Sequence, residues 1–306
     1  MAGSAWLVSA QCVLLLAGVL SLDSAPTVGT AEACFEGIGF VANLTGSWDV
    51  FVIHRDRERA GQLTDTVYDE NELRWGRDRE RILCSATDGR IRIIDVQTRQ
   101  ARQLAMGDKR GRATSPCFSP DRKRVVYVHF KPDAADDTEL AVFGLEKKEH
   151  TTFLDQFGPQ LFPDWSPDGK QIVYTSAHCG MECGRVIQEL WIAEVKGRSA
   201  RQLLMTNSHC THPVWSRDGK KIAFSSDMNG NFDIWVVTLE DRRLEQITTD
   251  PHMDTSPAWS PDGRKMAFIS GRTGRLKIWI KDLESGQLKM LSPFGDKDVE
   301  CRDVAW

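Results

Sequence analysis

The sequence lacks most of the signatures that would assign it a chemistry directly. It has no Gly-x-Ser-x-Gly elbow, no His-Glu-x-x-His pair and no Gly-rich phosphate loop, so hydrolase, zinc-protease and nucleotide-dependent readings find no motif. Without a Cys-x-x-Cys-His run, covalent c-type haem finds no motif either. The net charge is only −4, with both signs interspersed, which gives no basic face and hence no electrostatic case for nucleic acid. The leading apolar run, Trp6 to Leu22, is short for a bilayer span.

That run is followed by Ala31-Glu32-Ala33, a small-x-small site immediately before Cys34. It reads as a cleaved secretory signal over residues 1–33, with the mature domain at 34–306 and a periplasmic or secreted setting. No Lys or Arg precedes the run, so only the amino terminus is positive. Two alternatives stay open: a retained membrane segment, and a lipoprotein beginning at Cys34, although Ala31 stands where a lipobox usually has Leu. Cleavage would remove Cys12 and leave Cys34, Cys84, Cys117, Cys179, Cys183, Cys210 and Cys301. An odd number in an oxidising compartment predicts some disulfides and at least one free thiol.

With 306 residues, 41% of them hydrophobic, the chain has ample material for a core. A repeat organises it. Ser256-Pro257-Ala258-Trp259-Ser260-Pro261-Asp262-Gly263 leads into the apolar run Met266 to Ile269. Ser-Pro-Asp-Gly suits a type I turn, with Ser first, Pro second and Gly fourth. The unit recurs at Phe162 to Gly169, His212 to Gly219 and Ser115 to Asp121, more weakly at Leu73 to Asp78, and its first half ends the chain at Asp303 to Trp306. The anchors Trp75, Phe118, Trp165, Trp215, Trp259 and Trp306 are 43 to 50 residues apart. That period, at four strands each, predicts an all-β, six-bladed β-propeller with a WD40-like repeat architecture. Pro116, Pro163, Pro213 and Pro257 cannot donate to a ladder, which makes the Trp-bearing strand an edge, the innermost of its blade. The first period lacks this strand, so the C-terminal residues are expected to complete it and close the ring.

The repeated Trp-Ser-Pro-Asp-Gly, intact at 165–169 and 259–263, resembles the hallmark of the TolB-type propeller family. The resemblance covers about residues 37 to 306. Two copies depart from it, with Arg79 and Arg122 where Gly is expected. The N-terminal α/β domain of TolB itself finds no counterpart in the residues before the propeller, so the resemblance implies a TolB-like propeller and does not carry over TolB's envelope contacts.

Calling the four strands A to D from the axis outward, the D-to-A and B-to-C loops share one face of the ring. On that face the sequence places His178, Cys179 and Cys183 in the loop after strand B of blade 4, and His209, Cys210 and His212 in the approach to blade 5. These would suit zinc or another divalent metal. Competing readings are a disulfide among the cysteines, which a secreted protein favours, and unrelated surface residues. Asp227 to Asp233 has the alternating oxygens of a calcium loop, but its Asn229-Gly230 pair is a natural hairpin turn, and the turn is the better reading. Asn43-Leu44-Thr45 is a glycosylation sequon in another such turn. The recurring tryptophans read as core packed between blades, with sugar stacking as the lesser alternative. The expected function is a binding module, monomeric and envelope-associated or secreted, that takes a protein or peptide at the loop-rich channel face. The alternative is a metal-dependent polysaccharide lyase or hydrolase built on the His/Cys cluster.

Overall fold

The computed structural model describes residues 37–54, 59–104, 111–131, 137–156, 158–179 and 186–306. Within them, 24 strands form six antiparallel sheets of four. The innermost strands are β4 (Glu70–Trp75), β8 (Ala113–Phe118), β12 (Gln160–Trp165), β16 (Cys210–Trp215), β20 (Asp254–Trp259) and β24 (Cys301–Ala305). Blade 1 is closed as expected: β24 pairs with β1 (Gly37–Asn43), which pairs with β2 (Trp48–His54) and then β3 (Gly61–Gln62). The fold is a six-bladed propeller.

The turns form for the reasons the sequence gives. Ser166, Ser216 and Ser260 donate from Oγ to Asp168, Asp218 and Asp262 at 2.6–2.7 Å, and each Asp accepts a backbone N–H two residues on at 3.0 Å. The fourth turn residue must be left-handed. Gly169, Gly219 and Gly263 meet this at φ 71–72°, and Arg79 and Arg122 are held in the same region at 61°. A side chain there carries steric strain of about 1–2 kcal/mol.

Each innermost strand carries a bulge at one equivalent place. The register shifts across Glu72, Ser115, Phe162, His212 and Ser256, and across Asp303 in the closing strand. All six are left-handed, with φ from 49° to 58°. In four blades the next residue is Pro, whose missing N–H is tolerated because the strand is the inner edge.

Side chains from these strands then clasp the neighbouring blade. Leu73 N donates to Asp303 Oδ2 at 2.9 Å, Ser115 N to Glu72 Oε2 at 2.7 Å and Trp215 N to Asp164 Oδ2 at 2.8 Å. Indole N–H groups add to this: Trp75 donates to Ala305 O at 3.2 Å and Trp259 to Val214 O at 3.3 Å. Between successive blades lie six apolar clusters. The one joining blades 6 and 1 packs Ile269 and Ile278 against Phe40, Phe51 and Val304, with Phe294 edge-on to both phenylalanines. Trp165, Trp215 and Trp259 are buried between blades, which is the core role their recurrence implies. The outermost strands are short, from two to six residues.

Candidate functional site

The D-to-A and B-to-C loops meet on one face because strand A leaves it, strand B returns to it, and strands C and D repeat the excursion. His178 and Cys179 end β13 (Gln171–Cys179) at this face, with Cys179 in register with Val186 of β14 (Val186–Glu194). Cys183 and the side chain of Cys179 lie outside the described residues, and with them the proposed Cys179–Cys183 pair. His209 is fixed by Asp227: its N–H donates to Oδ1 at 2.7 Å, and Nδ1 lies 3.2 Å from Oδ2. The rest of the Asp227 segment is a turn, with Gly230 N donating to Asp227 O at 3.0 Å. The sequon Asn43 likewise closes a turn, accepting Gly46 N at 3.1 Å.

Two members of the expected cluster sit elsewhere. Cys210 opens strand β16 with its side chain in the core between blades 4 and 5, fully buried, and its thiol is free. Burial pushes that thiol up to about 11, so it is protonated at neutral pH beside Thr206 and Ser226. His212 stands on the channel wall, a correction to its placement among the loops. It is the bulge residue of β16, and its ring lies 4.2 Å from that of Phe162, the bulge residue of the preceding blade. Burial, with the charge of Arg74 adding to it, pushes its imidazole down to about 3 and keeps it neutral. Among the described residues, no group of three or more His, Cys, Asp or Glu side chains is placed to hold a metal ion.

Among charged and paired groups such as Arg275–Asp298 and Lys131–Asp155, the loop face also presents exposed apolar side chains. Val67 and Tyr68 precede blade 2, Val186 follows the blade-4 loop, Met205 precedes blade 5 and Met253 precedes blade 6. All five are exposed, Val67 to 90% and Met205 to 76%. Among the described residues, the three other exposed large hydrophobics, Leu244, Leu288 and Met290, lie on outermost strands.

Sequence reasoning missed the channel wall. Below the bulge residues, Arg74, Cys117, Asp164, Val214, Ala258 and Ala305 face a cavity of about 480 Å³ that opens on the A-to-B turns, opposite the loop face. Asp164 is held at both oxygens, by Trp215 N and by Cys117 Sγ at 3.1 Å, and burial raises its carboxyl above the usual range. Burial likewise pushes Asp303 up to about 6. A signal was present: the residue after the strand Pro is Cys117, Val214 or Ala258 in three blades and a charged Asp164 in the fourth.

The TolB beta propeller domain family matches the chain over residues 181–303. A stretch of 69 residues, 22% of the chain, is 33% identical to dipeptidyl-peptidase 5 of Porphyromonas gingivalis and spans 10% of that protein's length. Among solved structures, TolB from Acinetobacter baumannii superposes with a TM-score of 0.75 at 19% identity, over 89% of this chain and 67% of that one. A chain of a nidogen/laminin complex superposes at 0.65 with 10% identity, over 88% of this chain and 98% of that one. Six blades, a repeated Ser-Pro-Asp-Gly turn and closure by the last strand agree with these matches: residues 181–303 match the TolB beta propeller domain family, and the described chain shares the propeller fold of the TolB structure.

Proposed function

We propose that this propeller is a binding module that takes a protein or peptide on its D-to-A and B-to-C loop face, in a periplasmic or secreted setting. The carrying observation is that, of the eight exposed large hydrophobics among the described residues, five (Val67, Tyr68, Val186, Met205 and Met253) belong to loops of that face, whereas its other side is built of polar Ser-Asp turns. Exposed apolar side chains grouped on one face mark interaction surfaces, and Met adapts to varied partners. His209 and Asp227, paired beside them, supply a polar rim. The family match and the structural likeness to a chain of a protein complex support the same reading.

The test is affinity capture from an envelope or secreted fraction with mass-spectrometric identification, comparing the native protein with a Val67→Asp/Met205→Asp variant. Both positions are exposed, so the melting temperature should not change. A partner retained by the native face and lost by the variant supports the reading. A partner held equally by both moves the interface elsewhere.

A further inference from the structure

The blade-5 turn holds a reactive pair that the partner reading leaves unused. Of the five asparagines in the chain, only Asn229 is followed by Gly. Asn229 and Gly230 are both exposed, at the loop-face tip between β17 (Lys221–Ser226) and β18 (Asp233–Thr238). Gly230 has φ 101°, and no atom lies within 4 Å of the place a Cβ would take. A side chain there would crowd the amide nitrogen of residue 230. Gly leaves that nitrogen open to the side-chain carbonyl carbon of the residue before it.

Two hydrogen bonds hold this pair back from its own chemistry. Gly230 N donates to Asp227 O at 3.0 Å, and Asn229 Nδ2 donates to Gln246 Oε1 at 2.8 Å. Gln246 is itself tied down: its Nε2 donates to Asp233 Oδ2 at 3.0 Å, and Asp233 is buried. Turning the Gln246 amide over would leave that buried oxygen without its donor.

We propose that Asn229 is a self-modification site, converting to aspartate and isoaspartate through a cyclic imide at a rate set by opening of the blade-5 turn. The amide nitrogen of Gly230 attacks Cγ of Asn229, the Cγ–Nδ2 bond breaks, and ammonia leaves with the proton that Gly230 gives up. Water then opens the imide. Breaking the Cγ–N bond gives aspartate, and breaking the bond from the main-chain carbonyl carbon gives isoaspartate. Water is the only co-reactant, and nothing is oxidised or reduced. While the turn is closed, the Gly230 N–H is engaged by Asp227 O and the Asn229 side chain is tethered to the outermost strand β19 (Leu244–Gln246), so attack waits for local opening. The product loosens the same turn, because a carboxylate at position 229 cannot donate to Gln246 Oε1. It also adds negative charge to the turn that carries Asp227, the partner of His209. The inference does not depend on the partner reading.

Peptide mapping by mass spectrometry tests it on the whole chain held in mildly alkaline buffer, with isoaspartate resolved from aspartate and a parallel sample kept in urea. Asn229 should react before the other asparagines and give both products. Unfolding in urea should speed the reaction about tenfold, the combined effect of two neutral hydrogen bonds. Gln246→Ala should speed the native reaction about two- to fivefold and leave the rate in urea unchanged. Equal acceleration at Asn207 and Asn231 in that variant would mean general loosening and overturn the tether. Aspartate without isoaspartate means direct hydrolysis and overturns the imide route. No reaction at Asn229 in either sample, or one rate for native and unfolded chains, overturns the proposal.

Discussion

The backbone N–H of Leu73 donates to the carboxylate of Asp303 at 2.9 Å, joining residues 230 positions apart. One partner lies in the first complete innermost strand, and the other in the strand that closes the ring. The same clasp recurs between Glu72 and Ser115 and between Asp164 and Trp215. The inner wall is therefore tied blade to blade by side chains that leave their own sheet. Buried backbone N–H groups at an inner edge need such partners, since no further strand is there to accept them.

His212 should impose an acid limit on stability. Its folded imidazole is pushed down to about 3, chiefly by burial, whereas the unfolded chain titrates near 6.5. Below pH 6.5 the unfolded state takes up a proton that the folded state refuses, so stability falls as pH drops from 6.5 toward 3. The loss is at most a few kcal/mol. His212→Asn, a residue that tolerates the left-handed backbone at this position, should flatten that limb of a urea-midpoint profile. An unchanged acid limb would assign it to other groups.

Glu70 should act with the opposite sign. Burial, with Asp49 adding to it against the hydrogen bonds of Thr66 and Thr64, pushes its carboxyl up to about 7. As pH rises from 4.5 to 7 the unfolded state releases a proton that the folded state keeps, so stability falls through that window. In blade 6 the corresponding first residue of the inner strand, Asp254, has Arg272 Nη2 at 2.7 Å, a cation that Glu70 does not have at that distance. Glu70→Gln should remove the slope between these pH values, as read by the urea midpoint. A slope that survives in Glu70→Gln would contradict the assignment.

The two arginines at glycine positions should respond differently to restoration of Gly. At Arg122 the side chain is exposed and its contact with Asp78 is a long 3.7 Å, so Arg122→Gly relieves left-handed strain and should be neutral to stabilising by up to about 1 kcal/mol. At Arg79 the same change removes the bond to Gly37 O and the stacking on Trp75, and should destabilise by about 1–3 kcal/mol. Thermal and chemical denaturation of the two variants checks the contrast. Equal effects would mean that the guanidinium of Arg79 contributes nothing to the wall.

The architecture was legible because its signals are local and repeated. Ser-Pro-Asp-Gly states a turn, Trp259 and its equivalents state a core position, and the lone half-repeat ending at Trp306 implies closure. The channel was not legible. A residue before proline is normally extended, so nothing in the sequence announces that Phe162 or His212 adopts φ near 50° at a bulge. His212 lies off the loop face where linear order had put it because strand β16 already begins at Cys210. Cys210 was misjudged for a related reason: it is the first residue of a strand, and the neighbouring blade covers it. The charged wall of Arg74, Asp164 and Asp303 is assembled from blades 2, 4 and 1, and no single repeat contains it.

The most direct test of a ring closed by its last strand is equilibrium urea denaturation of the chain lacking Asp303 to Trp306. The deletion removes the buried Val304, the half-buried Trp306, the clasp to Leu73 and the acceptor of the Trp75 indole. Loss of about 3–5 kcal/mol, the scale of one large core side chain, is the predicted minimum. A truncated chain that unfolds at the same urea concentration, with the same slope, would contradict the closure and the channel built on it.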